Sequence, residues 1–220
     1  MSYQFDFVPV LANGGMLLRG MGATLYLTAV GTAPGVSIGI AGAVCRAWRI
    51  PLFSTVFAIY VEGIRNTPFL AQLFFIFFGL PAIGVMLSGE QASILAMVVN
   101  LGAYSTEIIR AGIQSTPQGV LEAAASLALS RAQIFWYVVL RPALYKVWPA
   151  LCSQVVIVML GSAVCSQIAT EELTFAANLI QARNFRAFET YLVVTLLYLL
   201  LALGVRRFLV VFGNRVLVRR

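Results

Sequence analysis

Charged side chains are so sparse along this chain that the gaps between them mark out its elements. Uncharged runs extend from Gly20 to Cys45, Asn66 to Gly89, Gln91 to Thr106, Val147 to Thr170 and Thr190 to Val205. A hydrocarbon core about 30 Å thick needs about 20 apolar helical residues at a rise of about 1.5 Å each. The third and fifth runs reach that length only by crossing single charges at Glu107 and Glu189. The pattern predicts an all-α integral membrane protein with five transmembrane helices in one domain, residues 1–220. The spans fall at about residues 15–45, 64–87, 90–113, 146–168 and 187–209. Ile50 to Val61 is too short to span and is closed by Glu62 and Arg65. It reads as an interfacial helix leading into the second span, with Pro68 at the break.

Composition narrows the class. Sixty per cent of the 220 residues are hydrophobic and 10% charged, and the mean hydropathy is +0.91. A soluble domain carries about 25% charge, so this chain has too little polar surface to cover a water-soluble core. The net charge of +7 would suit nucleic acid in a soluble protein, but no basic face with interleaved aromatics exists. The basic residues instead flank the apolar runs. With the N-terminus outside, Arg46, Arg49, Arg65, Arg110, Arg131, Arg141, Lys146, Arg206, Arg207, Arg215, Arg219 and Arg220 are cytoplasmic, and only Arg19, Arg183 and Arg186 are outside. The positive-inside rule therefore sets the N-terminus outside and the C-terminus in the cytoplasm. The N-terminal stretch lacks the positive region of a signal peptide, so the first span is expected to insert the chain. Three cysteines without ligand spacing and the absence of histidine leave no metal site.

This orientation puts residues 117–145 in the cytoplasm as the longest inward excursion. Pro117 and Gly119 start a helix with Glu122 near its positive end. Ala123, Ala124 and Ala125 give it high propensity and little bulk. A second helical piece follows Ser130, carries Phe135, Trp136 and Tyr137, and re-enters the membrane at Pro142. A helix with so small a face permits close approach by another body. The alternative is an amphipathic connector lying on the lipid surface.

Glu122-Ala123-Ala124, with Leu127, Phe135, Leu140 and Pro142-Ala143, resembles the EAA loop of binding-protein-dependent ABC importer permeases. IRNTPFLAQLFFIFFGLP (Ile64 to Pro81) and AYSTEIIRAGIQSTPQG (Ala103 to Gly119) are similar to segments of polar amino-acid uptake permeases. The ending FRAFETYLVVTLLYLL fits too, so the likeness covers about residues 15 to 212. It implies a type I ABC importer permease in a bacterial inner membrane, one of two halves that pair around a path. Glu122, Ala123, Ala124, Leu127, Ala128 and Phe135 would couple it to a cytoplasmic ABC ATPase dimer, which binds ATP and Mg. An extracytoplasmic substrate-binding protein would deliver an amino acid.

Three positions depart from the family pattern. Ala128 stands where glycine is usual. The LPxA element appears as Leu140-Arg141-Pro142-Ala143, with its proline one place late. The fourth span carries Leu160-Gly161-Ser162-Ala163 where a Lys-Asp or Lys-Ser cluster is usual. Gly161 cannot meet a substrate amino group, which favours a non-identical second permease subunit; a homodimer is the alternative.

The chain itself supplies no energy source. A phosphate-binding loop needs glycines followed by Lys and Ser/Thr, and the only lysine, Lys146, follows PALY. No catalytic arrangement is visible, so the chain is not expected to be an enzyme and carries no cofactor of its own. Polar residues in spans usually face a bundle interior or cavity. Asn66, Thr67 and Gln72 open the second span. Asn100, Tyr104 and Glu107 share one face of the third, as path lining or as interhelical hydrogen-bonding glue. Glu107 is placed to pair with Arg110. Gln154 and Ser162 are path candidates on the fourth span. Glu171, Glu172, Arg183 and Arg186 face outward, either as a solvated connector or for docking the binding protein. A secondary transporter would need internal repeats and a buried ionisable relay; it and a non-transporting assembly protein are the competing readings.

Overall fold

A computed structural model describes residues 4–217; Arg219 and Arg220 lie outside the described residues. The described residues are helical almost throughout, and the helices follow the charge-free runs. Four of them are long and apolar enough to cross a membrane, or five if the pair on either side of a break at residues 66–68 forms one span.

After a short turn of helix, α1 (Val8–Leu11), the first long helix is α2 (Gly14–Ala47). Its 34 residues correspond to about 51 Å. The chain turns at Arg49 and Leu52, both at positive φ, into α3 (Phe53–Arg65). Extended backbone at Pro68 ends the turn that follows and caps α4 (Phe69–Phe74). A π-helical stretch (Phe75–Gly79) and a 3₁₀ turn (Leu80–Ile83) complete this segment. The expected span at 64–87 is thus helical only from Phe69 to Ile83, too short to cross by itself. The proline break costs the first residues, and Gly84 at φ +84° ends the helix. The third span, α5 (Gly89–Gln114), matches expectation.

The loop after α5 holds α6 (Gln118–Ser126). Helix resumes at Arg131, not at residue 146, and runs to Ile168 without interruption. It consists of α7 (Arg131–Gln133), a π-helical stretch (Ile134–Leu140), α8 (Arg141–Gly161) and a 3₁₀ end (Ser162–Ile168). Pro142 does not break it, although a proline ring inside an α-helix clashes with the carbonyl four residues back. The wide turn immediately before Pro142 makes room where an α-turn would meet the ring. Pro81 follows the other π-helical stretch in the same way. The chain closes with α9 (Leu173–Asn184) and α10 (Ala187–Leu217), the latter extending past residue 209.

Contacts divide the chain into two compact units, cut midway through α2, α5, α8 and α10. The first comprises Met1–Thr32, Thr67–Val98 and Val156–Val205. Its cores gather Leu17, Met159, Leu173 and Ile180, and separately Leu73, Ala96 and Cys165. In it, Gly20 lets α2 lie against the start of α9: a Cβ there would sit 2.8 Å from Leu173 Cα. The second comprises Ala33–Asn66, Val99–Val155 and Arg206–Arg220. Its core gathers Ala43, Ile109, Phe135, Leu140 and Leu151. Here α2 packs on α5 through Gly39, where a Cβ would fall 2.4 Å from that of Ser105. Such small-residue contacts bring helix backbones together where lipid provides no hydrophobic drive.

Candidate coupling loop and translocation residues

Both ends of α6 are built to hold it rigid. Pro117 in extended conformation begins it. At its far end the Ala128 N–H donates to the Ala125 carbonyl at 3.0 Å and the Leu129 N–H to that of Ala124 at 3.4 Å. This pair of bonds is a Schellman cap, which requires the intervening residue to be left-handed. Ala128 supplies it, at φ +57°. That conformation explains why glycine suits this position, and an L-residue with a Cβ pays about 1–2 kcal/mol to adopt it. Two residues later Ser130 and Gln133 form a reciprocal capping box that starts the next helix.

The predicted coupling residues separate into two groups. Glu122, Ala123, Leu127 and Ala128 are exposed, Leu127 at 76%. Ala124 and Phe135 are buried and face the protein's own core. Glu122 also lies one turn further in than expected. The first turn of α6 contains no acid, and the helix dipole acts mainly over that turn. Phe135 holds the loop in place, its ring centroid 4.2 Å from that of Trp48 at the end of α2. Trp48 was not identifiable from sequence, because nothing in its local pattern links it to a residue 87 positions away. Between these elements is a groove of about 920 Å³ lined by Trp48, Ile113, Leu121, Arg131, Ile134 and Phe135, among others.

Above the loop, Glu107 pairs with Arg110, as expected, and also with Arg46 at 2.6 Å. One carboxylate thus ties α2 to α5. Lys146 donates to Ser115 Oγ at 3.0 Å, fixing the start of the loop to α8. Arg65 lies over the Tyr104 ring, 5.5 Å from its centroid, a cation–π contact joining α3 to α5.

The path candidates also divide. Asn66 bonds back to Glu62 and is exposed, as is Thr67. Gln72 is buried and donates to the Thr67 carbonyl and hydroxyl, both at 3.0 Å, bracing the proline break. Ser162 is fully buried and spends its hydroxyl on the Met159 carbonyl at 2.7 Å. Asn100 and Gln154 are buried and Tyr104 is half-buried.

Of the outward-facing residues, Glu171 and Arg183 are exposed. Arg186 is half-buried and bonds to Glu189 and to the Gln4 carbonyl. Glu172 is a correction: it is fully buried, so it is closed to a docking partner. Its carboxylate caps α9 by accepting from the Phe175 N–H at 2.8 Å and accepts from Tyr198 Oη at 2.5 Å. Burial pushes this carboxyl above its ordinary value, although Tyr198 and the cap N–H groups pull the other way. In sequence a buried cap and a solvated acid both read as a helix-starting glutamate.

Long apolar helices carrying a stiffly capped, partly exposed loop helix define a polytopic transmembrane protein with an exposed loop surface. The family described as binding-protein-dependent transport system inner membrane component matches residues 35–218, and the chain belongs to that family. It is 32% identical over 202 residues to the glutamine transport system permease protein GlnP of Escherichia coli (strain K12), covering 91% of this chain and 92% of that protein. It is 33% identical over 181 residues to the L-cystine transport system permease protein TcyB of Bacillus subtilis (strain 168), covering 82% and 75%. A solved structure, "Crystal structure of an amino acid ABC transporter with histidines", superposes at TM-score 0.88 with 33% identity, covering 97% of this chain and all of that one. The inward-facing MetNI methionine ABC transporter shares the fold, at TM-score 0.71 and 22% identity.

Proposed function

We propose that this chain is the transmembrane subunit of an ATP-driven amino-acid importer. It forms half of the translocation path and couples to a separate ATPase dimer through α6. The carrying observation is the construction of that helix. It is capped at both ends, its base is pinned by Phe135 on Trp48, and its outer face presents Glu122, Ala123 and Leu127. A surface kept stiff and small suits a body that must transmit force through close contact. The relatives' names, one for glutamine and one for cystine, support an amino acid as substrate. ATP and Mg belong to the ATPase, and an extracytoplasmic binding protein delivers the substrate. In this reading the N-terminus is outside, Asn66, Thr67, Tyr104 and Gln154 lie towards the path, and Glu171 and Arg183 meet the binding protein.

The test uses the complete transporter in proteoliposomes. Ala123→Asp and Glu122→Lys alter only exposed positions, so the subunit should assemble normally. Uptake should fall about tenfold, as when an unpaired charge enters a tight interface, while the ATPase continues to hydrolyse ATP. Unchanged uptake by both variants refutes coupling through α6.

A second subunit that differs from this one is supported by the space at Gly161. A Cβ there would meet only Phe69 Cδ1, at 4.0 Å, so packing does not exclude a larger side chain. We infer that the partner subunit carries more of the substrate contacts. Alanine scans of both fourth spans should give unequal losses of uptake, and equal losses would refute it.

A further inference from the structure

The groove beside the coupling loop has the features of a lipid site. It measures about 920 Å³ and its walls are mainly apolar, with Trp48, Ile113, Ile134 and Val139 along them. One full charge reaches it, Arg131. Among the described residues no carboxylate lies within ion-pair distance of that guanidinium. Arg131 also opens the helix that continues to Ile168, and there the backbone's own partial charge is positive and adds to the arginine's. The chain therefore concentrates positive potential at the mouth of an apolar trough and provides nothing to offset it.

The surrounding aromatics set the depth of this feature. Trp48 lines the groove and is 52% exposed; its ring lies against Phe135, which in turn contacts Trp136, 58% exposed. Exposed tryptophans with one apolar and one polar edge mark the headgroup level of a bilayer. An anion that is part of an apolar molecule and resides at headgroup level is a phospholipid. We propose that the groove binds one anionic phospholipid, with its phosphate on Arg131 and its glycerol and upper acyl chain along Trp48, Ile134 and Val139. A carboxylate of the ATPase is the competing partner for Arg131. It would account for the charge, but not for the apolar trough or for an aromatic wall half open to the surroundings.

The experiment uses the complete transporter in nanodiscs, with Trp136→Phe and Trp148→Phe leaving Trp48 as the only tryptophan of this chain, and the same complex with Trp48→Phe subtracted as background. Dibromo-phosphatidylglycerol should quench Trp48 more strongly than dibromo-phosphatidylcholine at equal mole fraction. Arg131→Gln should weaken that preference about fivefold, the effect of one cation at a lipid surface, whereas Arg215→Gln should not change it. Equal quenching by the two lipids overturns the proposal. So does an Arg131→Gln complex that keeps its lipid preference, whether or not its ATPase dissociates; dissociation with the preference intact assigns Arg131 to the ATPase. Soluble glycerophosphoglycerol at millimolar concentration should leave the quenching unchanged. Relief by it would mean that a free phosphate occupies the site and would also overturn the lipid assignment.

Discussion

Replacing Ala128 by glycine should make the coupling loop firmer, against the usual expectation for removing a methyl group. At φ +57° the alanine Cβ crowds its own carbonyl, at a cost of about 1–2 kcal/mol. Glycine removes that cost but gives the unfolded chain about 0.5–1 kcal/mol of extra conformational freedom. The difference is a net gain of about 0.5–1 kcal/mol in the local stability of the Schellman cap. It should be readable where the cap is made, at the N–H groups of Ala128 and Leu129 that bond to Ala125 and Ala124. Hydrogen exchange of the peptide over residues 118–130, in the assembled subunit, should slow about two- to fivefold in Ala128→Gly. Ala128→Val should act in the opposite sense, because a β-branched residue is a worse occupant of left-handed backbone. Exchange that is unchanged or faster in Ala128→Gly would refute the link between this dihedral and the rigidity of α6.

Other positions allow sharper perturbations. Gly39→Leu should force α2 away from α5, since even a Cβ would come within 2.4 Å of Ser105; a cost of at least about 1–3 kcal/mol would show as a lowered Tm in detergent. Gly213→Ala should dislodge Trp148, whose Nε1 would be 1.9 Å from the new Cβ and which donates to the Leu209 carbonyl. The tryptophan emission should shift to the red; an unshifted spectrum would refute this packing. Glu172→Ala should lose an N-cap worth about 1 kcal/mol, and Glu172→Gln should lose less. Because burial raises the folded-state pKa of Glu172 above its ordinary 4.5, wild type should be at its best relative to Glu172→Gln below that value. The advantage should shrink as pH rises through the folded pKa, so the difference in Tm between the two proteins should fall from acid towards neutral pH.

The long elements were legible because charge is absent from them, a signal that depends on no tertiary information. α5 came out at its expected ends for that reason. The second span did not, because hydropathy at residues 64–87 is indifferent to whether the backbone is helical, and Pro68 and Gly84 act on the backbone alone. The continuation of helix from Arg131 into the fourth span was hidden by Pro142, whose usual meaning is a break; the wide turn that relieves it has no sequence signature. At the loop, the small residues were plain, but which of them point outward was not. Ala123 and Ala124 are alike in sequence and opposite in exposure, since the inward face is chosen by a neighbour, the segment around Phe135, that joins it only after folding. Glu107 was read with one partner and has two for the same reason: Arg46 is distant in sequence and adjacent in space.

The wide turn at Ile134–Leu140 means that this helix contains one residue more than its length requires. Deleting a single residue there would shorten nothing: the turn would tighten to an ordinary one and the rod would survive. Everything beyond it would nevertheless be dialled round by about 100°, so that Ala143 and Leu151, now buried, would swing off the inner seam. The stretch therefore behaves as a phase setting, and a one-residue indel there would scramble one side of the molecule while leaving its helix content untouched.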